Sequence, residues 1–376
     1  MNFQVEPDNL ERFGRLIGRA ADDMRTAISY LDNNTQIGGS CASFLWDFIG
    51  SNHEQVVNEV KGGLKGFSEI LDASKKELAK SAKYYRATDS ATAAKLDETY
   101  RRPSGPRGWD ETVLGDINPT DFRDVASPTD RLKPTDVDQN YFQEWGDEWM
   151  LNPVAKTGGS IMDFGSPVGI VAEGLNFCGI ADVFAKPVQW LGGDWEGYLK
   201  AAEAWGNIAK FCTDVAENID WGNRTLDESW NGNSADVAWV YFHEVAQKLR
   251  KATESLNSLQ EQYNLLARTV YNAAGVVQGF LVTICDWVVE VILFNVAAAA
   301  ALATIAGAPE AAALEALAMV RFMAALAKYR EFLEMLELTA NGVQVAGLAL
   351  FGIATAFGSD VKSFPRPGSD YDNQAV

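Results

Sequence analysis

Residues 238–273 read AWVYFHEVAQKLRKATESLNSLQEQYNLLARTVYNA. Within them Ala238, Phe242, Val245, Leu249, Ala252, Leu256, Leu259, Tyr263, Leu266, Val270 and Ala273 alternate steps of four and three without a slip, giving five heptads. An α-helix turns about every 3.6 residues, so this period draws one straight apolar seam along one helix and calls for a second helix lying lengthwise on it. The opposite face carries Glu244, Lys248, Arg250, Lys251, Glu254 and Glu261, which read as solvated charge. Phe242, Val245, Leu249, Leu256, Leu259, Tyr263 and Leu266 are the candidate seam residues, for a core or a partner interface rather than a cofactor site.

Downstream of the seam the polar face disappears. Residues 291–309 carry no charge, and neither do residues 340–359. Each run is close to the roughly 20 residues that cross a bilayer. Both are mostly Ala and Gly, interrupted by Asn295, Asn341 and Gln344, so their insertion energy is weak. Two readings stand for residues 276–359: helices buried in a bundle, or segments that meet a membrane. After Ser359, Pro365, Pro367 and many polar residues point to a disordered tail over 360–376.

Upstream, Trp195, Leu199, Ala202, Trp205, Ile208, Ala209, Cys212, Val215 and Ile219 share one face, predicting a helix from Asp194 to about Asp227. Together with the seam helix it forms a helical hairpin within 141–275. One or two short helices are expected in the Gly-rich stretch 157–193. A first hairpin occupies residues 1–100. Leu10, Phe13, Leu16, Ile17, Ala20, Met24, Ala27, Ile28 and Leu31 mark its first helix. Phe48, Val56, Val60, Leu64, Phe67, Ile70, Leu71, Leu78 and Ala82 mark its second, with polar Ser74 on the same line. Gly62-Gly63 and Gly66 either weaken that helix or admit a close neighbour. Between the hairpins, residues 101–140 hold five of the chain's 12 prolines and read as an acidic linker, extended or loosely ordered. The expected fold is all-α: two long antiparallel hairpins forming a four-helix bundle, a Pro-rich linker, and a C-terminal apolar helical region.

Charge and composition remove several functions. With 51 Asp+Glu against 32 Lys+Arg, the 376-residue chain carries a net charge of −19, which opposes binding to nucleic acid or anionic lipid. The two histidines, His53 and His243, are too few for a His-rich metal site. His243-Glu244 is followed by Gln247 rather than a second His, so the zinc-protease helix pattern fails. Asp136 to Asn140 begin like a calcium loop, but Tyr141 stands where glycine is required. No metal and no cofactor is therefore expected. No phosphate loop, dinucleotide fingerprint or nucleophile elbow occurs, and no catalytic residue is assigned. Cys41, Cys178, Cys212 and Cys285 form no C-x-x-C pair and read as thiols, with one disulfide the alternative. The N-terminal 36 residues contain no uninterrupted apolar core of a cleavable signal peptide.

Two motifs remain. Trp230-Asn231-Gly232 lies in the turn of the second hairpin, and Tyr85-Arg86-Ala87-Thr88-Asp89 lies at the end of the first. The first resembles the W-x-G turn, and the second the Tyr-x-x-x-Asp/Glu export signal, of the WXG-type substrates of bacterial type VII (ESX) secretion. Residues 187–196, PVQWLGGDWE, and 229–236, SWNGNSAD, are similar to segments of large actinobacterial members. The likeness covers about 187–275 well and 8–90 loosely. The first hairpin departs from it, having Gly38-Gly39 in its turn but no W-x-G. What the resemblance implies is a secreted or cell-surface protein, exported without a cleavable signal peptide. It acts as an assembly component or interaction effector. Its partners are the type VII ATPase and a WXG-type partner or chaperone, or further copies of itself. Tyr85, Asp89, Trp230 and Gly232 would form its secretion signal. In that family the W-x-G turn of one hairpin lies beside the Tyr-x-x-x-Asp tail of its dimer partner. The alternative is a membrane-active protein that inserts residues 276–359.

Overall fold

The computed structural model describes residues 3–37, 44–101, 103, 118, 120–136, 195–303 and 308–367. The short helices expected in 157–193, the Gly38-Gly39 turn, the lead-in 187–194, the calcium-like residues past Asp136 and the tail beyond 367 lie outside them. A two-residue strand β1 (Gln4–Val5) precedes helix α1 (Pro7–Asn34). Pro7 sits in the first turn, where its missing N–H costs nothing. Helix α2 (Phe44–Ala87) returns antiparallel. Arg25 pairs with Asp72, Lys61 with Asp32, and Arg86 with Glu11 and Asp8. These surface pairs set register more than stability. A short helix α3 (Ser90–Asp97) follows.

After the segment 120–136 come helix α4 (Trp195–Asp227), strand β2 (Trp230–Asn231) and helix α5 (Asn233–Leu302). Antiparallel pairing of α4 and α5 is fixed by Asn223 Nδ2 donating to the Trp239 carbonyl at 3.0 Å and by Thr213 against Thr253 at 3.2 Å. The heptad seam is interior. Phe242, Val245, Leu249, Leu256, Leu259, Tyr263 and Leu266 are all buried. They share one core with α1, α2 and α4. Phe13 of α1 meets Phe242 edge-on at 4.7 Å, and Asn207 Nδ2 of α4 donates to Tyr30 Oη at 3.0 Å. His53 of α2 binds Tyr263 at 2.6 Å. The class is all-α, its only strands among the described residues being the two short ones.

Three boundaries differ from those expected. First, nothing divides the chain at 275/276. Helix α5 runs unbroken for 70 residues, about 105 Å at 1.5 Å per residue. Second, the run 291–309 is not one helix, because α5 ends at Leu302 and helix α6 (Ala308–Lys362) starts beyond it. Among the described residues, α6 is the one helix long and apolar enough to cross a membrane, and 33% of its most apolar 18-residue stretch is buried. Third, residues 360–367 are packed. The helix continues to Lys362, Phe364 is buried against Tyr241, Tyr241 Oη donates to the Pro365 carbonyl at 3.3 Å, and Arg366 pairs with Glu69 at 2.6 Å. One buried aromatic and a hydrogen-bonded carbonyl hold a segment whose prolines bar only helix, not order.

Helix α6 lies on both α5 and α2, which explains the α2 glycines. A Cβ on Gly63 would stand 2.2 Å from Phe357, and one on Gly66 would stand 2.8 Å from Val361, whereas Gly62 faces open space. Of the two expectations for these glycines, close approach applies at 63 and 66. Gly62→Ala should stabilise by about 0.5–1 kcal/mol through helix propensity. Gly63→Ala should destabilise by about 1–3 kcal/mol through overpacking, despite the same propensity gain. Urea denaturation of the two variants separates them by sign.

The expected linker is a strap over 120–136. Its extended backbone is satisfied by side chains of the helices. Asn218 Oδ1 accepts from the amides of Val125 and Ala126 at 2.8 and 2.9 Å, and its Nδ2 donates to the Ala126 carbonyl at 3.0 Å. Trp221 Nε1 donates to the Asp121 carbonyl at 2.8 Å. Arg19–Asp124 (2.7 Å) and Arg131–Asp214 (2.8 Å) clamp the strap to α1 and α4. Buried Asn218 and Trp221 thus bind a chain that composition alone marks as loose.

Candidate functional site

The turn between α4 and α5 is built by its sequence. Gly232 has φ 140° and ψ −176°, a region that side-chain-bearing residues avoid. A Cβ there would also lie 2.6 Å from an Asp97 oxygen. Trp230, two residues earlier, is buried. Its strand β2 pairs antiparallel with β1, Val5 opposite Trp230 and Gln4 opposite Asn231, and the Glu6 amide donates to the Ser229 carbonyl at 3.1 Å. The chain start is thereby stitched to the W-x-G turn.

Tyr85 reaches the same turn from the end of α2. Its ring meets Trp230 edge-on, with centroids 6.3 Å apart, and meets Phe3 at 5.7 Å. Its hydroxyl donates to Ser234 Oγ at 3.2 Å. Burial pushes the phenol well above its ordinary range, offset in part by the Ser234 bond. Trp230 Nε1 is buried without a hydrogen-bond partner among the described residues, so the polar partner its indole would want is not seen there.

Asp89, the other end of the Tyr-x-x-x-Asp motif, does not touch Trp230. It is exposed and caps α3, with Oδ1 accepting from the Thr92 amide at 3.0 Å and Oδ2 from the Thr92 hydroxyl at 2.8 Å. The hydroxyl and amide of Thr92, in that order, hold the Asp89 carboxyl below its ordinary value. Arg86, inside the motif, ties it to Asp8 and Glu11 of α1.

Helix α3 carries the residue that completes the site. Asp97, at its last position, is buried against the start of α5. Its Oδ2 accepts from the Asn233 amide at 2.8 Å, and its Oδ1 from the Ser234 amide at 2.8 Å and the Ser234 hydroxyl at 2.6 Å. It is an N-cap supplied from another helix, and its charge faces the positive end of the α5 dipole. A chain Tyr85 Oη → Ser234 Oγ → Asp97 Oδ1 results. Both Ser234 bonds are spent on holding the turn, so the cluster locks rather than activates a nucleophile. Motif reading missed Asp97. Its signal was position: a carboxylate on the last residue of a helix faces the unfavourable pole of its own dipole.

Among the described residues no three His, Cys, Asp or Glu side chains gather as a metal site requires. Cys212 is buried and free, and burial pushes its thiol up to about 12, which leaves it unreactive. Cys41 and Cys178, and the side chain of Cys285, lie outside what is described. No family model matches the chain, and neither a curated protein nor a solved structure matches it.

Proposed function

We propose that this chain is a non-enzymatic substrate of a type VII secretion system that carries both halves of an exported helical pair in one polypeptide. The observation that carries the reading is the contact of Tyr85 with Trp230 and Ser234, two motifs 145 residues apart (230 − 85) meeting at one end of the helices. In the resembled family those halves come from two chains. Here α1–α2 supplies one hairpin and α4–α5 the other, docked as an internal four-helix bundle, and the 120–136 strap does the work of dimerisation by raising effective concentration. The exposed Asp89 and the locked Trp230 turn then form one composite signal for the secretion ATPase. After export the protein acts outside the cytoplasm through interaction, as an assembly component or effector, at the cell surface or released.

The test is export in a bacterium with an active type VII system. Tyr85→Ala and Trp230→Ala are each expected to abolish appearance of the protein in the culture filtrate while cellular levels remain measurable. Normal export of both removes the reading. Wild type should also be exported without a co-expressed WXG-type partner.

A further inference from the structure

The far ends of α5 and α6 form an arm packed in the reverse sense to a water-soluble hairpin. Its seam is small: Ala311, Ala318 and Ala325 of α6, seven residues apart, are buried with Ala298 of α5. Its outside is large and apolar: Leu293, Val296, Leu302, Leu317, Val320 and Phe322 are exposed, Val320 at 65% against 5% for Ala318. Small residues between helices and large ones outside is the arrangement of helices in lipid. Around α6, the exposed residues 317, 319, 320 and 322 point in four directions, at 100° per residue. A second copy would cover one such face; hydrocarbon covers them all.

The arm also has the right height and base. Glu290 pairs with Arg321 at 2.5 Å, and Lys328 Nζ lies 4.5 Å from the Phe280 ring, which fixes the antiparallel register. Beyond the Glu290–Arg321 pair, α5 has residues 291–302 and α6 has residues 308–320, 12 and 13 residues. At 1.5 Å per residue that is about 18–20 Å, more than one leaflet and less than the roughly 30 Å hydrocarbon core. At the base stand Arg321, Lys328 and Arg330 with half-buried Trp287 and Tyr329. These are the residue types that anchor at the headgroup level. We propose that the α5–α6 tip inserts as a re-entrant hairpin into one leaflet of an electrically neutral bilayer, a property independent of the export reading.

Two charges oppose entry, Glu310 and Glu315, both on α6. Helix α5 places no titratable group against them over 291–302, the nearest being Glu290, already paired with Arg321. Removing the two charges removes the obstacle to insertion. Anionic headgroups would oppose the −19 chain.

Flotation of the full chain with phosphatidylcholine vesicles holding a small entrapped dye tests this. At pH 7.5, Glu310→Gln/Glu315→Gln should partition at least tenfold more than wild type, with the dye retained. Adding Leu317→Lys/Val320→Lys to it should abolish flotation while the protein melts like wild type. Absence of flotation of the glutamine variant, or flotation of the lysine variant, overturns the proposal. Dye release shows a spanning pore instead. A stable dimer that the lysine variant dissociates, without vesicle binding, shows a second copy as the occupant.

Discussion

Asp97→Ala is expected to lower the unfolding free energy by about 3 kcal/mol. The carboxylate accepts three hydrogen bonds, from the Asn233 and Ser234 amides and the Ser234 hydroxyl. Losing an N-cap costs about 0.5–2 kcal/mol, and each buried donor left unpaired about 1–3 kcal/mol. Asn233 is partly exposed, so water recovers part of the loss. Asp97→Asn keeps one acceptor oxygen and should cost about half as much. Gly232→Ala should cost a similar amount for a different reason, strained backbone plus a clash with Asp97. Since that clash partner is Asp97 itself, the double variant should cost less than the sum. Urea denaturation of the four proteins measures the coupling; additive losses would show that the turn and the cap are independent.

The second large effect is acid destabilisation through His53. This ring is buried, at 5% exposure. The Thr35 carbonyl can only accept, so Nε2 carries the proton toward it, and Nδ1 accepts from the Tyr263 hydroxyl. A second proton would charge a buried ring and place an N–H against the phenol. Burial accordingly lowers its pKa from 6.5 to about 4, with the Thr35 bond opposing. The unfolded chain takes up that proton below pH 6.5 and the folded one only below about pH 4. The His53 contribution is complete above pH 6.5 and is lost as pH falls to 4, amounting to about 3 kcal/mol. Asp23 works the other way. Burial first, then Asp124 and Asp22, raise its carboxyl to about 6, so it adds stability as pH falls from 6 toward 3.8. Asp23 is only partly buried, and screening limits this to about 1 kcal/mol. These two groups together give a loss of about 2 kcal/mol between pH 6.5 and 4. His53→Gln should remove the His53 part of the downward slope. An unchanged slope in His53→Gln would assign the acid sensitivity to other groups.

What could be read from sequence was what periodicity encodes. The four-three seam from Phe242 to Leu266 needs a helix partner along its length, and it lies in the core. The close approach at Gly63 and Gly66 was one of two readings, because a glycine reports room for a neighbour but not which neighbour; Phe357 and Val361 lie some 290 residues away. The strap was legible as an extended or loosely ordered linker but not as a docked one, because prolines and acids describe what the segment cannot form by itself. They say nothing of Asn218, Trp221 and Asp214, which bind it from α4. Asp97 was invisible to motif reading because a cap from another helix leaves no local spacing. The uncharged run 291–309 read as one unit, since hydropathy does not mark where a helix turns back. At the site, Tyr85, Trp230 and Gly232 come together, while Asp89 stands apart as the cap of α3.

That separation makes Asp89 the cleanest probe of the proposed export signal. Tyr85 and Trp230 are buried, so their removal disturbs packing as well as any recognition. Asp89→Ser keeps an N-cap oxygen for Thr92 and removes only the exposed charge. The decisive measurement is the fraction of Asp89→Ser protein recovered outside the cell, alongside its melting temperature. A signal read by the secretion machinery predicts loss of export with melting unchanged. Export at the wild-type level would mean that the Tyr85–Asp89 motif is a helix end and a cap, and nothing more.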